Sequence, residues 1–170
     1  MKRVLFLSVI MCIFIGGIKA QTVNRLFQKY DDDCRFECIS VGKFLFNLAL
    51  LSGNVKGEER ELIAGLQKIK ILTTKNDVEP ELTSRIMHDL QKVIRRGDFE
   101  NLVEVREKGE RVNIYTRMSR DYYTDLLIAV KDQGEISLIW INGKLPFHLI
   151  EKLQHENYNQ TLANLPINIK

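Results

Sequence analysis

The sequence predicts one α+β domain: a four-stranded antiparallel meander in the C-terminal half, joined by one or two further strands, with helices packed on the sheet. After Phe99, apolar residues recur at every second position in four successive stretches, which is the period of a strand. The joins EKGE and DQGE each place a glycine where a short hairpin loop needs a positive φ. The four predicted strands cover residues 100–106, 111–117, 122–131 and 135–141.

The first 20 residues have the pattern of a secretory signal peptide. Two basic residues precede an apolar run that ends in small residues, so we expect cleavage between Ala20 and Gln21. The run is shorter than the ~20 apolar residues that a bilayer requires, and an uncleaved anchor is the alternative. Cys12 lies inside the run, so lipid attachment is not expected. Residues 21–170 then form the single domain, with a loosely ordered tail from residue 157.

Removing this leader changes the charge of the protein. The leader holds three of the 25 Lys and Arg residues and no acid, so 22 basic residues balance the 22 Asp and Glu residues. A chain without net positive charge lacks the electrostatic attraction on which binding to phosphates depends. The composition therefore predicts no nucleic-acid partner.

A short helix and a strand are predicted at the start of the domain. The helix, residues 22–30, places four apolar side chains on one side, namely Val23, Leu26, Phe27 and Tyr30. Cys34, Phe36 and Cys38 then alternate with charged residues, as in a half-buried strand. The spacing predicts that both sulfurs point the same way as Phe36.

The two cysteines are predicted to be buried structural thiols. Residues four apart on a regular strand are separated by ~13 Å, whereas a disulfide needs Cα atoms within ~7 Å. Two cysteines without a nearby histidine are also too few for a structural zinc site. Cys34 and Cys38 are therefore expected to pack as small apolar groups. A disulfide in an irregular segment and an intermolecular disulfide are the alternatives.

The middle of the chain predicts two helices and a strand. Residues 41–51 are apolar on nearly every side, which predicts a central helix, capped by Ser40 and covered on most sides. A second helix is expected over 58–66. Residues 68–73 form a strand with Ile69, Ile71 and Thr73 directed inward.

A long amphipathic helix is predicted next, capped by Asp77, with Pro80 in its first turn and Gly97 after its end. Its buried stripe consists of Leu82, Ile86, Leu90 and Val93 or Ile94. A last helix is expected over 146–155. Because the third and fourth meander strands are apolar on both faces, either helices cover part of each side or one side meets a partner.

Several of these segments resemble an exported bacterial family. The segments FQKY, ISVGKFLFNL, KIKILTT, FENLVEVREKGERVNIYTR and DLLIAVKDQGEISLIWINGKL together resemble the family catalogued as domain of unknown function 4252, over residues 23–156. The resemblance implies the α+β fold and carries over no catalytic residue. Many members look like lipoproteins, and this chain lacks the lipid-accepting cysteine, which favours a soluble periplasmic or secreted form.

No stretch of the sequence has a recognisable catalytic pattern. Ser52 precedes a glycine but lacks the glycine-flanked setting of a hydrolase nucleophile. His148, Glu151 and His155 would share one face of the last helix, but a metal would need a further ligand, and no metal or cofactor is predicted. An enzyme with an unfamiliar site, built around His88 or around His148 and Glu151, is the main alternative.

The candidate binding residues lie in and after the second meander strand. Asn113, Tyr115 and Arg117 are expected to face outward, because they alternate with Val112, Ile114 and Thr116. Tyrosine and arginine often dominate protein interfaces. The full candidate set is Tyr115, Arg117, Arg120, Tyr122 and Tyr123.

The sequence thus predicts a non-enzymatic exported protein. It would bind another envelope protein or envelope component through an open sheet face or the meander edge, with no transmembrane anchor after cleavage. A structural, self-associating exported protein is the second alternative, which a long uncovered strand edge would support.

Overall fold

The structure is a computed structural model. It describes residues 15–75, 79–107, 109–132 and 134–150, with side chains from Val23 onward. The helices are α1 (Ile15–Asp31), α2 (Lys43–Leu51), α3 (Gly57–Gly65) and α4 (Pro80–Arg96). The strands are β1 (Phe36–Gly42), β2 (Leu66–Thr74), β3 (Glu100–Glu107), β4 (Glu110–Ser119), β5 (Tyr122–Asp132) and β6 (Glu135–Pro146). Residues 147–150 are also helical.

All six strands form one antiparallel sheet in the order β1-β2-β6-β5-β4-β3. The four-stranded meander is confirmed, and both N-terminal strands join it through the pairing of β2 with β6. Gly109 and Gly134 have φ values of 102° and 103°, the left-handed region that these hairpin loops require. The predicted fold class is therefore confirmed.

The main core lies between the sheet and helices α1 and α4, and we call this side of the sheet the inner face. The predicted apolar side of α1 and the predicted stripe of α4 are both buried there. From the sheet, Leu72, Leu127 and Leu138 meet them with almost no exposed surface. Asp89 of α4 ties the two helices together, accepting hydrogen bonds from Lys29 and, at 2.9 Å, from the Tyr30 hydroxyl.

Helices α2 and α3 pack on the opposite side, the outer face, and cover only one end of it. The second apolar cluster contains Phe46 of α2, with Leu66, Tyr123, Leu126 and Leu145. Side chains of α3 and of residues 147–150 pack against this cluster. Helix layers therefore lie on both sides of the sheet, but the outer one is incomplete.

The structure corrects the predicted orientation of β2. Lys70, Leu72 and Thr74 are the buried residues of the inner face, and Ile69 and Ile71 lie on the outer face, half-buried. The alternation was right but the choice of face was wrong. The inner set contains only one large apolar side chain, Leu72, so alternation favoured the other set, and it is the packing of α1 and α4 that selects the covered face.

The structure also corrects the helix predicted over 41–51. Ser40 and Val41 belong to β1, and the N-cap of α2 is Gly42, without a side-chain cap. The helix is not covered on most sides, because only Phe46 is buried.

Two predictions about helix ends fall partly beyond the described residues. Pro80 opens α4 and Gly97 follows its end, as predicted. The proposed cap Asp77 lies outside the described residues. The helix predicted over 146–155 begins one residue later, at 147, and residues 151–170 also lie outside them.

Two glycines allow the backbone to pass very close to itself where α3 meets the sheet. A Cβ atom on Gly65 would lie 2.0 Å from the carbonyl oxygen of Lys144, and one on Gly143 would lie 2.5 Å from the carbonyl oxygen of Gly65. Any side chain at either position would overlap backbone atoms. The contact fixes the end of α3 against β6.

Candidate binding surface

The structure separates the five predicted binding residues. Tyr115 and Tyr123 are buried, and Arg117 exposes only 10% of its side chain. Arg120 is exposed in the turn between β4 and β5, and Tyr122 is exposed at the start of β5. The prediction that Asn113, Tyr115 and Arg117 face outward is therefore wrong. These residues lie on the inner face, which leaves them little surface to offer a partner.

Arg117 belongs instead to a buried polar cluster on the inner face. It donates from Nε and Nη2 to Oδ2 of Asp125 at 3.0 and 2.7 Å, and its guanidinium lies 4.7 Å from the centre of the Phe99 ring. The other oxygen, Oδ1, accepts from Trp140 Nε1 at 2.8 Å and from Asn142 Nδ2 at 3.0 Å. The cluster therefore joins three neighbouring strands.

This cluster has the chemistry of a structural link. Both oxygens of the Asp125 carboxylate accept two hydrogen bonds, so the buried charge is well satisfied. No nucleophile or second acid belongs to it. Sequence reasoning missed Asp125, although Arg117 and Asp125 are a directly paired couple in the β4–β5 register.

The cysteine prediction is partly wrong. Cys34 is exposed in the turn before β1, and Cys38 is half-buried against the main core; both are free cysteines. Burial, reinforced by the neighbouring Asp31 carboxylate, raises the pKa of Cys38 to about 11. Cys34 therefore lacks the packing that the sequence predicted, whereas Cys38 has part of it.

We expect the two thiols to react at different rates. At pH 8 Cys38 is protonated and partly covered, and thiolates are the reactive form, so its alkylation should be at least about tenfold slower than that of Cys34. Timed alkylation with mass spectrometry of the labelled peptides measures each site separately. Cys34→Ser should abolish the fast site only. Equal labelling rates at the two sites would contradict this assignment.

The histidines that the enzyme alternative needs lie at the surface. His88 lies in a depression of about 300 Å³ whose lining residues all come from α4 and include no acid. His148 is exposed, and Glu151 and His155 lie outside the described residues. Within the described part of the chain, no cluster of three or more potential metal ligands occurs. No helix in the same residues is long and apolar enough to cross a bilayer.

The outer face carries a continuous apolar row that crosses the whole sheet, which we call the isoleucine row. Its six members are paired in register from β1 to β3: Ile39, Ile71, Ile139, Ile128, Ile114 and Val103. Ile39 is 54% exposed and the other five are half-buried. None of the six belongs to either apolar cluster. Sequence alternation marked these residues as one face of each strand but gave no sign that the face is open.

Two further features border the isoleucine row. On one side stands α2, whose outer residues Phe44 and Leu51 are 73% and 81% exposed, with Leu45 and Leu48 also exposed. On the other side a second apolar row, the valine row, consists of Val105, Val112 and Val130 in register. Together the two rows form an apolar floor, beside which α2 and α3 stand as a wall.

Beyond the valine row the outer face ends in acids. Glu107 pairs with Glu110, and Asp132 pairs with Glu135, on the same face of the four meander strands. All four are exposed, and we call them the acidic row. The opposite, inner face carries cations at this end, where Arg106 pairs with Arg111 and Arg111 with Lys131. The hairpin ends of the sheet therefore have opposite charge on their two faces.

These features define an α+β protein with a six-stranded antiparallel sheet whose outer face is only partly covered by the described helices. Comparison with protein families matches residues 30–153 to the family described as domain of unknown function (DUF4252), and the chain belongs to that family. The match confirms the resemblance noted from the sequence. A search of the curated proteins gave no match.

Proposed function

We propose that the protein is a non-enzymatic binding module that holds an apolar element of another envelope protein or envelope component on its outer sheet face. The observation that carries this proposal is the isoleucine row, which crosses all six strands and belongs to neither apolar cluster of the described residues. Exposed apolar area on this scale is unfavourable unless a partner covers it.

The size of the surface supports this proposal. Five strand spacings of ~4.8 Å give the isoleucine row a width of ~24 Å. The valine row adds a second row over three strands only, so the floor measures on the order of 200 Å². The exposed side chains of α2 enlarge it. The largest apolar patch on a monomeric protein is about 300–600 Å² and is often functional.

The proposed location is outside the cytosol. The leader pattern of residues 1–20 supports export with cleavage between Ala20 and Gln21. In cells that express the full sequence, mass spectrometry should find an exported chain that begins at Gln21. An intact chain retained in the cytosol would contradict this proposal.

Affinity capture from an envelope extract tests the binding role. Ile139→Lys places a charge at the centre of the isoleucine row and should abolish recovery of the partner. Gln28→Lys adds the same charge on the exposed side of α1 and should leave recovery unchanged. Circular dichroism measures whether both variants are folded, and only folded variants are compared.

The outcomes distinguish the proposal from its alternatives. Partner recovery that survives Ile139→Lys would contradict docking on the outer face. A concentration-dependent mass that falls on Ile139→Lys would favour the self-associating alternative. Turnover of a screened substrate, lost on substitution of His88, would favour an enzyme.

A further inference from the structure

We propose that the outer face binds an amphipathic α-helix that carries lysine or arginine along one flank. The inference rests on the proposed function, because it names the element that the apolar floor accepts. Three observations carry it: the height of the wall formed by α2 and α3, the width of the floor, and the acidic row along its far side.

The wall limits the thickness of the partner. Helices α2 and α3 already occupy one end of the outer face, and a helix stands about 10 Å tall on a sheet. A second sheet laid flat on the floor would meet these helices. A single helix fits, because its diameter of about 10 Å matches the distance across the floor from the wall to the acidic row. In this position it would lie beside α2 on the sheet.

The width of the floor sets the length of the helix. The isoleucine row spans six strands, or ~24 Å, and a helix rises 1.5 Å per residue, so about 16 residues cross it. The contacting side chains would be apolar, because the row contains only isoleucine and valine.

The acidic row defines the charge of the partner. A helix lying over the isoleucine and valine rows would place one flank near Glu110 and Asp132. Opposite charge at such a rim guides association and selects among partners. Arg106, Arg111 and Lys131 lie on the other face of the same strands but line one depression with Glu107 and Glu110, so they weaken the field of the acidic row without placing a cation on the outer face.

The same charge pattern disfavours two other occupants. Two copies of the chain that met through their outer faces with parallel strands would bring one acidic row onto another. Residues 151–170 of the chain itself contain two lysines and two glutamates, and hence no net positive charge. Neither supplies the cationic flank that the acidic row favours.

Two designed peptides test the inference. Each has about 18 residues with the same leucine stripe, and the polar positions are lysine in one and glutamate in the other. Fluorescence anisotropy of labelled peptide should show at least about tenfold tighter binding of the lysine peptide at about 0.1 M salt. The difference should shrink at about 1 M salt, where the Debye length falls to about 3 Å.

Charge reversal on the protein locates the site. Asp132→Lys combined with Glu110→Lys should weaken binding of the lysine peptide at least about tenfold and strengthen binding of the glutamate peptide. Glu104→Lys, on the inner face of β3, makes the same kind of charge change and should have little effect. Ile139→Lys should weaken both peptides.

Each outcome decides a separate point. If neither peptide binds while affinity capture still recovers a partner that Ile139→Lys loses, the docking role stands and a helical occupant is wrong. If both peptides bind equally, or if charge reversal leaves the lysine peptide unaffected, the docking role stands and the cationic flank is wrong. A dimer that Ile139→Lys dissociates would make a second copy the occupant and overturn the inference.

Discussion

Replacing Arg117 with alanine is expected to destabilise the protein by about 3–5 kcal/mol, the usual cost of removing one partner from a buried ion pair. The substitution leaves the Asp125 carboxylate, which is 3% exposed, without its cation. It also removes the guanidinium from the face of Phe99. The remaining hydrogen bonds from Trp140 and Asn142 satisfy only Oδ1. Chemical denaturation with urea, monitored by the fluorescence of Trp140, measures the free energy of unfolding.

A matched surface pair provides the control. Arg106 and Glu104 also form an ion pair in the sheet, but the Arg106 side chain is 63% exposed. Arg106→Ala should therefore cost less than about 1 kcal/mol. Asp125→Ala should be about as harmful as Arg117→Ala, and the double variant should cost less than the sum of the two, because each single change already breaks the pair. Equal effects of Arg117→Ala and Arg106→Ala would contradict a structural role for the cluster.

Gly65→Ser is expected to cost about 3 kcal/mol or more, or to prevent folding. Its Cβ atom would lie 2.0 Å from the backbone oxygen of Lys144, and backbone cannot move aside as a flexible side chain can. Relief would require α3 to move away from β6, which would open the second apolar cluster. The free energy of unfolding and the yield of soluble protein measure the effect.

Gly42 provides the matched position for this test. A Cβ atom there meets nothing within 4 Å, and Gly42 is the N-cap of α2 with a φ of −107°. Serine is favoured at an N-cap, so Gly42→Ser should leave the stability within about 1 kcal/mol or raise it. If Gly42→Ser lost as much stability as Gly65→Ser, the close approach of the Lys144 backbone would not be the reason that Gly65 is required.

The order and pairing of the meander strands follow directly from local sequence. The alternation of apolar and polar residues predicted the strands. Gly109 and Gly134 predicted the hairpins between them, because a tight turn needs a residue that tolerates positive φ. The buried stripe of α4 could be predicted in the same way, because its apolar residues repeat at the helical period. These features depend on residues close together in the chain.

Which face of each strand the helices cover depends on contacts between residues far apart in the chain. It could therefore not be predicted from the sequence. Ile71 and Leu72 are both suited to a core, and only the docking of α1 and α4 determines that Leu72 is buried. Tyr115 and Arg117 looked like surface residues because they are polar, yet they lie beneath this helix layer. The partner of Arg117 becomes visible only once the β4–β5 register places Asp125 opposite.

The candidate binding surface was missed for a related reason. The apolar stretch of α2 predicted a covered helix, since leucine and phenylalanine are most often buried. Exposure of Phe44 and Leu51 arises because no described element stands on that side of α2. The isoleucine row likewise requires the register of five strand pairs, which joins residues from both halves of the chain.

The junction between β2 and β6 has a consequence for how the chain folds. The meander can form from neighbouring hairpins, whereas β2 must find a partner far along the chain: the hydroxyls of Thr73 and Ser137, which meet across this junction, are 64 residues apart. Long-range pairing of this kind is slow compared with hairpin closure. The sheet should therefore assemble in two stages, with the last four strands formed first and β1 and β2 added afterwards. Until that addition the exposed edge of β6 would be open to pairing with other chains.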